Sequence, residues 1–171
     1  MTVIAVKKLK NKIEIASDSQ VTYGYQKKEL PSHYNEMSKM FKANDMVIAG
    51  AGSAKGIQLL RVFAKNHKPK TATSDDILEF IVEFEGWAKK KDDKFDLSDN
   101  AFIFIMEGKV FEAVDGFLVT EVSTHSAIGS GSFIALGALY FGHSVEEAVE
   151  VAIEHDIFCG GKIEKEVIDL D

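Results

Sequence analysis

Cysteine is almost absent from this sequence. Cys159 stands alone, so no internal disulfide can form and no zinc-binding cysteine pair exists around it. Long apolar runs are absent too, and none suffices to span a bilayer. The start of the chain has no basic stretch followed by an apolar one. The run from Val3 to Val6 is short and turns charged at Lys7-Lys8, so no signal peptide is expected. Basic residues are scattered, and the net charge is −7. That balance argues against nucleic acid and against an anionic membrane as partners. There is no internal repeat, low-complexity tract or linker. What is present is a 171-residue chain with 46% hydrophobic residues, enough to bury a core. A single domain over residues 1–171, in the cytoplasm, is the expectation.

The order of elements follows from periodicity and punctuation. Val3–Val6, a turn near Lys10-Asn11 and the alternating Ile13–Ser17 predict a hairpin at the chain start. Residues 22–38, with Gly24 and Pro31, read as a loop or a ragged strand pair. Met46–Ala49 is a buried strand ended by Gly50-Ala51-Gly52. Ser53 is placed to cap a helix to about Asn66, and Ser74 to cap a second one bearing Ile77, Leu78, Ile81, Phe84 and Trp87. Ala101–Met106, the turn Glu107-Gly108 and Lys109–Val114 form a second hairpin. Gly129-Ser130-Gly131-Ser132 ends a strand and opens a helix from about Phe133 to Phe141. Ser144 to Glu147 is a capping box opening a fourth helix to about Asp156, and Ile163–Leu170 is a closing strand. Two helix pairs covering two stacked sheets predict a mixed α/β fold, a four-layer α/β/β/α sandwich.

Several residues could carry chemistry, each with a plain alternative. Thr2 would become the first residue if Met1 were removed, and a terminal threonine holds a hydroxyl nucleophile beside an amine with a pKa of about 7.7–8.0. It is also an ordinary second residue. Asp18, at the end of the second strand, could pair with Lys39, and a lysine near the hydroxyl would favour its ionised form. Either could instead be a turn residue or a solvated charge. Gly50 could offer an unhindered N–H to an oxyanion or simply end a strand. Ser130, between two glycines, could face the strand ends or cap a helix. Asp156-Ile157-Phe158-Cys159-Gly160-Gly161 places an acid three residues before a small polar side chain, in what could be a glycine helix stop.

Taken together, these segments resemble the proteasome β-subunit superfamily of N-terminal nucleophile hydrolases, and within it the short bacterial HslV type, over nearly the whole chain from Thr2 to Leu170. Thr2 and Asp18 stand sixteen positions apart, as in that family. Lys39-Met40-Phe41, Ile48-Ala49-Gly50 and Ile128-Gly129-Ser130-Gly131-Ser132 resemble its successive motifs. Asp156-x-x-Cys159-Gly160-Gly161 differs from the family's Asp-x-x-Ser-Gly-Gly by its cysteine. The first strand can also be aligned so that the family threonine falls on Met1. Placing the extra residue in the Lys8–Lys12 turn puts it on Thr2 instead, and turns absorb insertions more easily.

The resemblance implies a role for each residue. Thr2 would be the nucleophile. Its amine, helped by Ser130 and Asp156, would handle protons, Cys159 would stand in the place of the family's serine with weaker hydrogen bonding, and Lys39 paired with Asp18 would tune the site. The Gly50 N–H would stabilise the oxyanion, and Thr22 would bind the substrate backbone as an added strand. No cofactor is required for the chemistry. The carbonyls of Ile153, Asp156 and Cys159 would hold a structural Na+ or Mg2+. The resemblance also implies stacked hexameric or heptameric rings, an ATP-dependent unfoldase as partner and unfolded proteins as substrates. A chain starting so close to Thr2 is expected to lack the propeptide of long-leader β subunits and the N-terminal extension of α subunits. Two other functions remain: a catalytically silent ring or scaffold subunit, and an amidase acting on small molecules.

Overall fold

The computed structural model describes residues 2–23, 26–29 and 38–170, with the side chains of residues 22–23 and 26–29 left out. The chain forms two compact units. The first joins Met1–Lys39 to Ser123–Asp171, and the second is Met40–Val122.

In the first unit, strands β1 (Ile4–Lys8) and β2 (Lys12–Asp18) form the expected hairpin, with Ala5 opposite Ala16. The short β3 (Gln20–Tyr23) pairs with β4 (Gln26–Glu29). Thr22 lies in β3, but its side chain, on which the substrate-binding expectation depends, is outside the described residues. In the second unit, β5 (Met40–Ala43), β6 (Met46–Ala51), β7 (Ala101–Met106), β8 (Lys109–Val114) and β9 (Leu118–Glu121) form one antiparallel sheet in that order. Back in the first unit, β10 (His125–Ile128) and β11 (Ile163–Asp169) flank the hairpin to give the order β10-β1-β2-β11.

Helices α1 (Ala54–Ala64) and α2 (Ser74–Lys89) cover one face of the five-stranded sheet. Ile77, Phe80, Ile81, Phe84 and Ala88 recur at helical spacing on α2 and pack with Ile48, Phe102, Phe104 and Phe111 of the strands. Each fully buried Phe or Ile contributes about 1.5–3 kcal/mol. Phe80 and Ala88 take core places; Leu78 and Trp87 are only partly buried.

Helices α3 (Ser132–Tyr140) and α4 (Val145–His155) cover the other sheet through Val3, Ala5, Ala16 and Ala127. These small strand residues let the helices approach closely. Their neighbours Ile4, Val6, Ile13 and Ile15 point to the opposite sheet face and are buried as well.

Capping departs from expectation twice. Thr73, not Ser74, caps α2. Its backbone is extended and its Oγ1 accepts the Asp76 N–H at 3.2 Å, whereas Ser74 is already helical. Ser53 occupies the N-cap position of α1 without a side-chain cap bond. The capping box at Ser144 is present, with Ser144 Oγ accepting the Glu147 N–H and Glu147 Oε2 accepting the Ser144 N–H.

Candidate active site

The site is built where β10 ends and α3 begins, against the residues that lead into β1. Gly129 has φ of +95°, and a Cβ there would lie 2.1 Å from the Thr2 carbonyl oxygen. Both facts require glycine, because the chain turns left-handed while passing over the Thr2 backbone. The Gly131 N–H donates to that same carbonyl at 3.3 Å. Ser130 is thereby brought to Thr2. Its Oγ accepts the Thr2 N–H at 3.3 Å and donates to the Thr2 carbonyl at 3.4 Å. Thr2 itself is only 3% exposed.

From Ser130 a chain of polar groups runs into the turn after α4. Ser130 Oγ lies 3.8 Å from Cys159 Sγ, which donates to Asp156 Oδ2 at 3.2 Å. Asp156 is the C-cap of α4, and its Oδ1 accepts the Phe158 N–H at 2.9 Å, closing a local turn. Burial raises the Asp156 pKa, but hydrogen bonds from the Phe158 N–H, Ser130 and Cys159 outweigh it and hold the carboxyl below its ordinary value. Burial first, then the bond to Asp156, pushes the Cys159 thiol up to about 12. At neutral pH this sulfur is a thiol that donates, not a thiolate that attacks.

The second cluster centres on Asp18, which is 0% exposed. Its Oδ1 accepts the Val3 N–H at 3.0 Å and Lys39 Nζ at 2.6 Å, while Oδ2 accepts the Gly160 N–H at 3.0 Å. Lys39 is 5% exposed. Burial pulls its pKa below the ordinary lysine value, and the Asp18 charge and hydrogen bond oppose that pull. One carboxylate oxygen therefore ties the lysine ammonium to the backbone immediately after Thr2. The other ties both to the turn that carries Cys159.

Six of the expected residues, Thr2, Asp18, Lys39, Ser130, Asp156 and Cys159, belong to the first unit and form these two linked clusters. Gly50 belongs to the second unit, in β6. A Cβ there would lie 2.7 Å from Ile57 Cγ1, which gives the glycine a packing role under α1. Its assignment as an oxyanion donor rests on the resemblance alone. Ser19 and Gln20 were not singled out from the sequence, yet both bond the turn after α4. Ser19 Oγ accepts the Lys162 N–H at 2.7 Å. The available signal was a polar Asp-Ser-Gln run at the end of a strand predicted to be buried.

Among the described residues, no group of three or more His, Cys, Asp or Glu side chains gathers to hold a metal. The carbonyls of Ile153, Asp156 and Cys159 are neutral oxygen donors of the kind hard cations take. That of Ile153 lies in the last turn of α4, where helix carbonyls lose their intrahelical partners. The Asp156 carbonyl already accepts the Cys159 N–H at 2.9 Å, leaving one lone pair for an ion.

No protein-family model and no curated protein matches the chain. Solved structures do. BPH of Thiobacillus denitrificans, in complex with epoxomicin, matches with a TM-score of 0.85 at 22% identity, over 99% of this chain and 99% of that one. HslV from Trypanosoma brucei matches at 0.66 and 21% identity, over 98% and 99%. Anbu, an ancestral β-subunit from Yersinia bercovieri, matches at 0.72 and 11% identity, over 98% and 81%. The fold is that of the proteasome-type N-terminal nucleophile hydrolases. The expected fold class is thus the observed one, with four helices and two main antiparallel sheets among the described residues. At these identities the likeness establishes the fold alone. No helix among the described residues is long and apolar enough to cross a membrane.

Proposed function

We propose that this chain is the threonine peptidase subunit of a ring-shaped, cytoplasmic compartmental protease. It degrades unfolded polypeptides delivered by an ATP-dependent unfoldase, in stacked rings of six or seven copies. The observation that carries this reading is the surroundings of Thr2. Its nitrogen lies on Ser130 Oγ, and the next peptide N–H shares the carboxylate oxygen that holds a buried lysine ammonium.

In this reading, removal of Met1 turns the Thr2 nitrogen into a free amine. The amine takes the proton of the Thr2 hydroxyl as Oγ1 attacks the scissile carbonyl carbon. The resulting oxyanion collapses, the C–N bond breaks, and the proton passes to the leaving amine. Water then adds to the ester, with the amine again as base, and returns the threonine hydroxyl. Lys39 stabilises negative charge near the hydroxyl, while Asp18 keeps the ammonium charged against burial. Ser130 orients the amine and links it to Cys159 and Asp156. The Gly50 N–H is the oxyanion donor, and Thr22 holds the substrate backbone. The carbonyls of Ile153, Asp156 and Cys159 would hold a structural Na+ or Mg2+, which would play no part in the chemistry.

Intact-mass analysis after incubation with epoxomicin, the compound bound to the T. denitrificans BPH, tests the reading. The expected result is loss of Met1 and a single adduct that maps to Thr2 and blocks hydrolysis of an unfolded substrate. Retained Met1 with no adduct overturns it and leaves the silent ring subunit.

A further inference from the structure

The junction of β2 and β3 grips the turn after α4 through three consecutive residues. Asp18 and Ser19 take the N–H groups of Gly160 and Lys162. Gln20 does more than its neighbours. Its backbone N–H donates to the Gly160 carbonyl at 2.9 Å, and its side-chain Nε2 donates to the Phe158 carbonyl at 3.3 Å. It is 6% exposed, unusual for a glutamine unless its amide is used. Its Oε1 occupies the place a side chain at Gly160 would need, 2.4 Å from a Cβ built there. The backbone on both sides of Cys159 is therefore held by one residue, through its side-chain amide before the cysteine and its backbone N–H after it.

We propose that Gln20 is a positioning residue for the reaction at Thr2: its side-chain amide, with its backbone N–H, pins the Phe158–Gly160 backbone to the start of β3 and so sets Cys159 and Asp156 at their distances from Ser130. The inference rests on the peptidase reading for its kinetic consequence, but its geometry stands without it. Cys159 Sγ reaches Ser130 Oγ at 3.8 Å and Asp156 Oδ2 at 3.2 Å, and both contacts depend on where the backbone of residues 158–160 lies. On the other side, Gly131 packs so tightly that a Cβ there would lie 3.0 Å from Cys159 Sγ. The sulfur thus sits between a wall that cannot move toward it and a turn held by Gln20. If the turn lets go, the thiol leaves that slot. A shift of about 1 Å in such a constellation can cost roughly 10²-fold in rate.

Because Cys159 is the chain's one cysteine, it reports on its own placement. The experiment compares wild type with Gln20→Met, which keeps the volume and removes the amide, and with Gln20→Glu, which sets a carboxylate against the Phe158 carbonyl. Each is first shown to assemble as the wild type does by sedimentation. Iodoacetamide labelling of Cys159 and steady-state kinetics on an unfolded substrate are then measured. Both variants should label roughly tenfold faster, as an opening equilibrium responds to one lost hydrogen bond. Both should lose about 10²-fold in kcat with KM unchanged. The wild-type labelling rate, or a wild-type kcat, in Gln20→Met overturns the proposal, since the residue would then be filling space. If the wild type shows no Thr2-dependent turnover, the peptidase reading has failed, and the labelling rates alone decide whether Gln20 holds the turn.

Discussion

Replacing Asp18 by asparagine removes one charge and almost no volume, and its consequences can be worked from three distances. The carboxylate accepts from Lys39 Nζ at 2.6 Å, from the Val3 N–H at 3.0 Å and from the Gly160 N–H at 3.0 Å, with no exposure to water. An asparagine can keep its oxygen toward Lys39 and Val3 only by turning its NH2 against the Gly160 N–H, so one donor faces another. The lysine ammonium, itself 5% exposed, then has no counter-charge at Asp18. Breaking a buried pair in this way costs about 3–5 kcal/mol. The cost must depend on pH. Burial already places the folded-state pKa of Lys39 below its unfolded value, and loss of the Asp18 charge lowers it further. Between the folded and unfolded pKa values the unfolded chain binds more protons, so stability rises as pH rises through that window and is lost as pH falls through the folded pKa. Urea denaturation of Asp18→Asn between neutral pH and pH 10 should show a variant far weaker than wild type at pH 7 that recovers on the alkaline side. Asp18→Asn/Lys39→Met should be more stable at pH 7 than Asp18→Asn alone. A loss below about 1 kcal/mol with a flat pH profile would refute the claim that the pair is buried and charged.

Thr2→Ala should abolish peptide hydrolysis while leaving assembly intact, and Lys39→Ala should cost about 10²–10³ in kcat. Adding Lys39→Ala to Thr2→Ala should change activity no further, which an unfoldase-coupled peptidase assay would read. Gly129→Ala combines a left-handed φ with a Cβ placed 2.1 Å from the Thr2 carbonyl oxygen. It should lower stability by more than about 1 kcal/mol, the left-handed penalty alone, seen as a drop in Tm. Cys159→Ser puts a stronger donor in place of the thiol beside Ser130 and Asp156, so kcat should hold or rise; a clear fall would give the sulfur a role that its geometry does not explain.

Much of the fold was readable because local physics agreed with tertiary structure. The period-two run at Ile13–Ser17, the capping box at Ser144 and the turn at Glu107-Gly108, where both residues adopt positive φ, each specify their element without help from elsewhere. Strand β9 was missed because its side chains lie mostly at the surface, so Leu118–Glu121 carries no alternation of apolar and polar residues. The cap of α2 was placed one residue late because Thr73 and Ser74 are both good caps, and only the backbone angle at Thr73 separates them. Gln20 was passed over because a glutamine reads as a surface residue until the turn that buries it is known.

The two site carboxylates show where reading residues stops and geometry begins. Asp18 and Asp156 each end a regular element, and nothing in their neighbours along the chain ranks one above the other. The structure gives them different tasks. Asp18 is fully enclosed and faces a cation and two backbone N–H groups, so its charge is a fixed counter-charge that the fold requires. Asp156 is partly open to water and bonds a hydroxyl, a thiol and one backbone N–H, all of them neutral. Together these neutral donors hold its carboxyl below the ordinary value, as an ionised acceptor at the end of the polar chain from Ser130. The difference arises from partners brought from outside each local segment: Lys39 lies twenty-one residues beyond Asp18, and Ser130 twenty-six before Asp156. Thus spacing alone could name both acids, but only the packing of distant segments decides which one faces a buried cation and which one faces neutral donors.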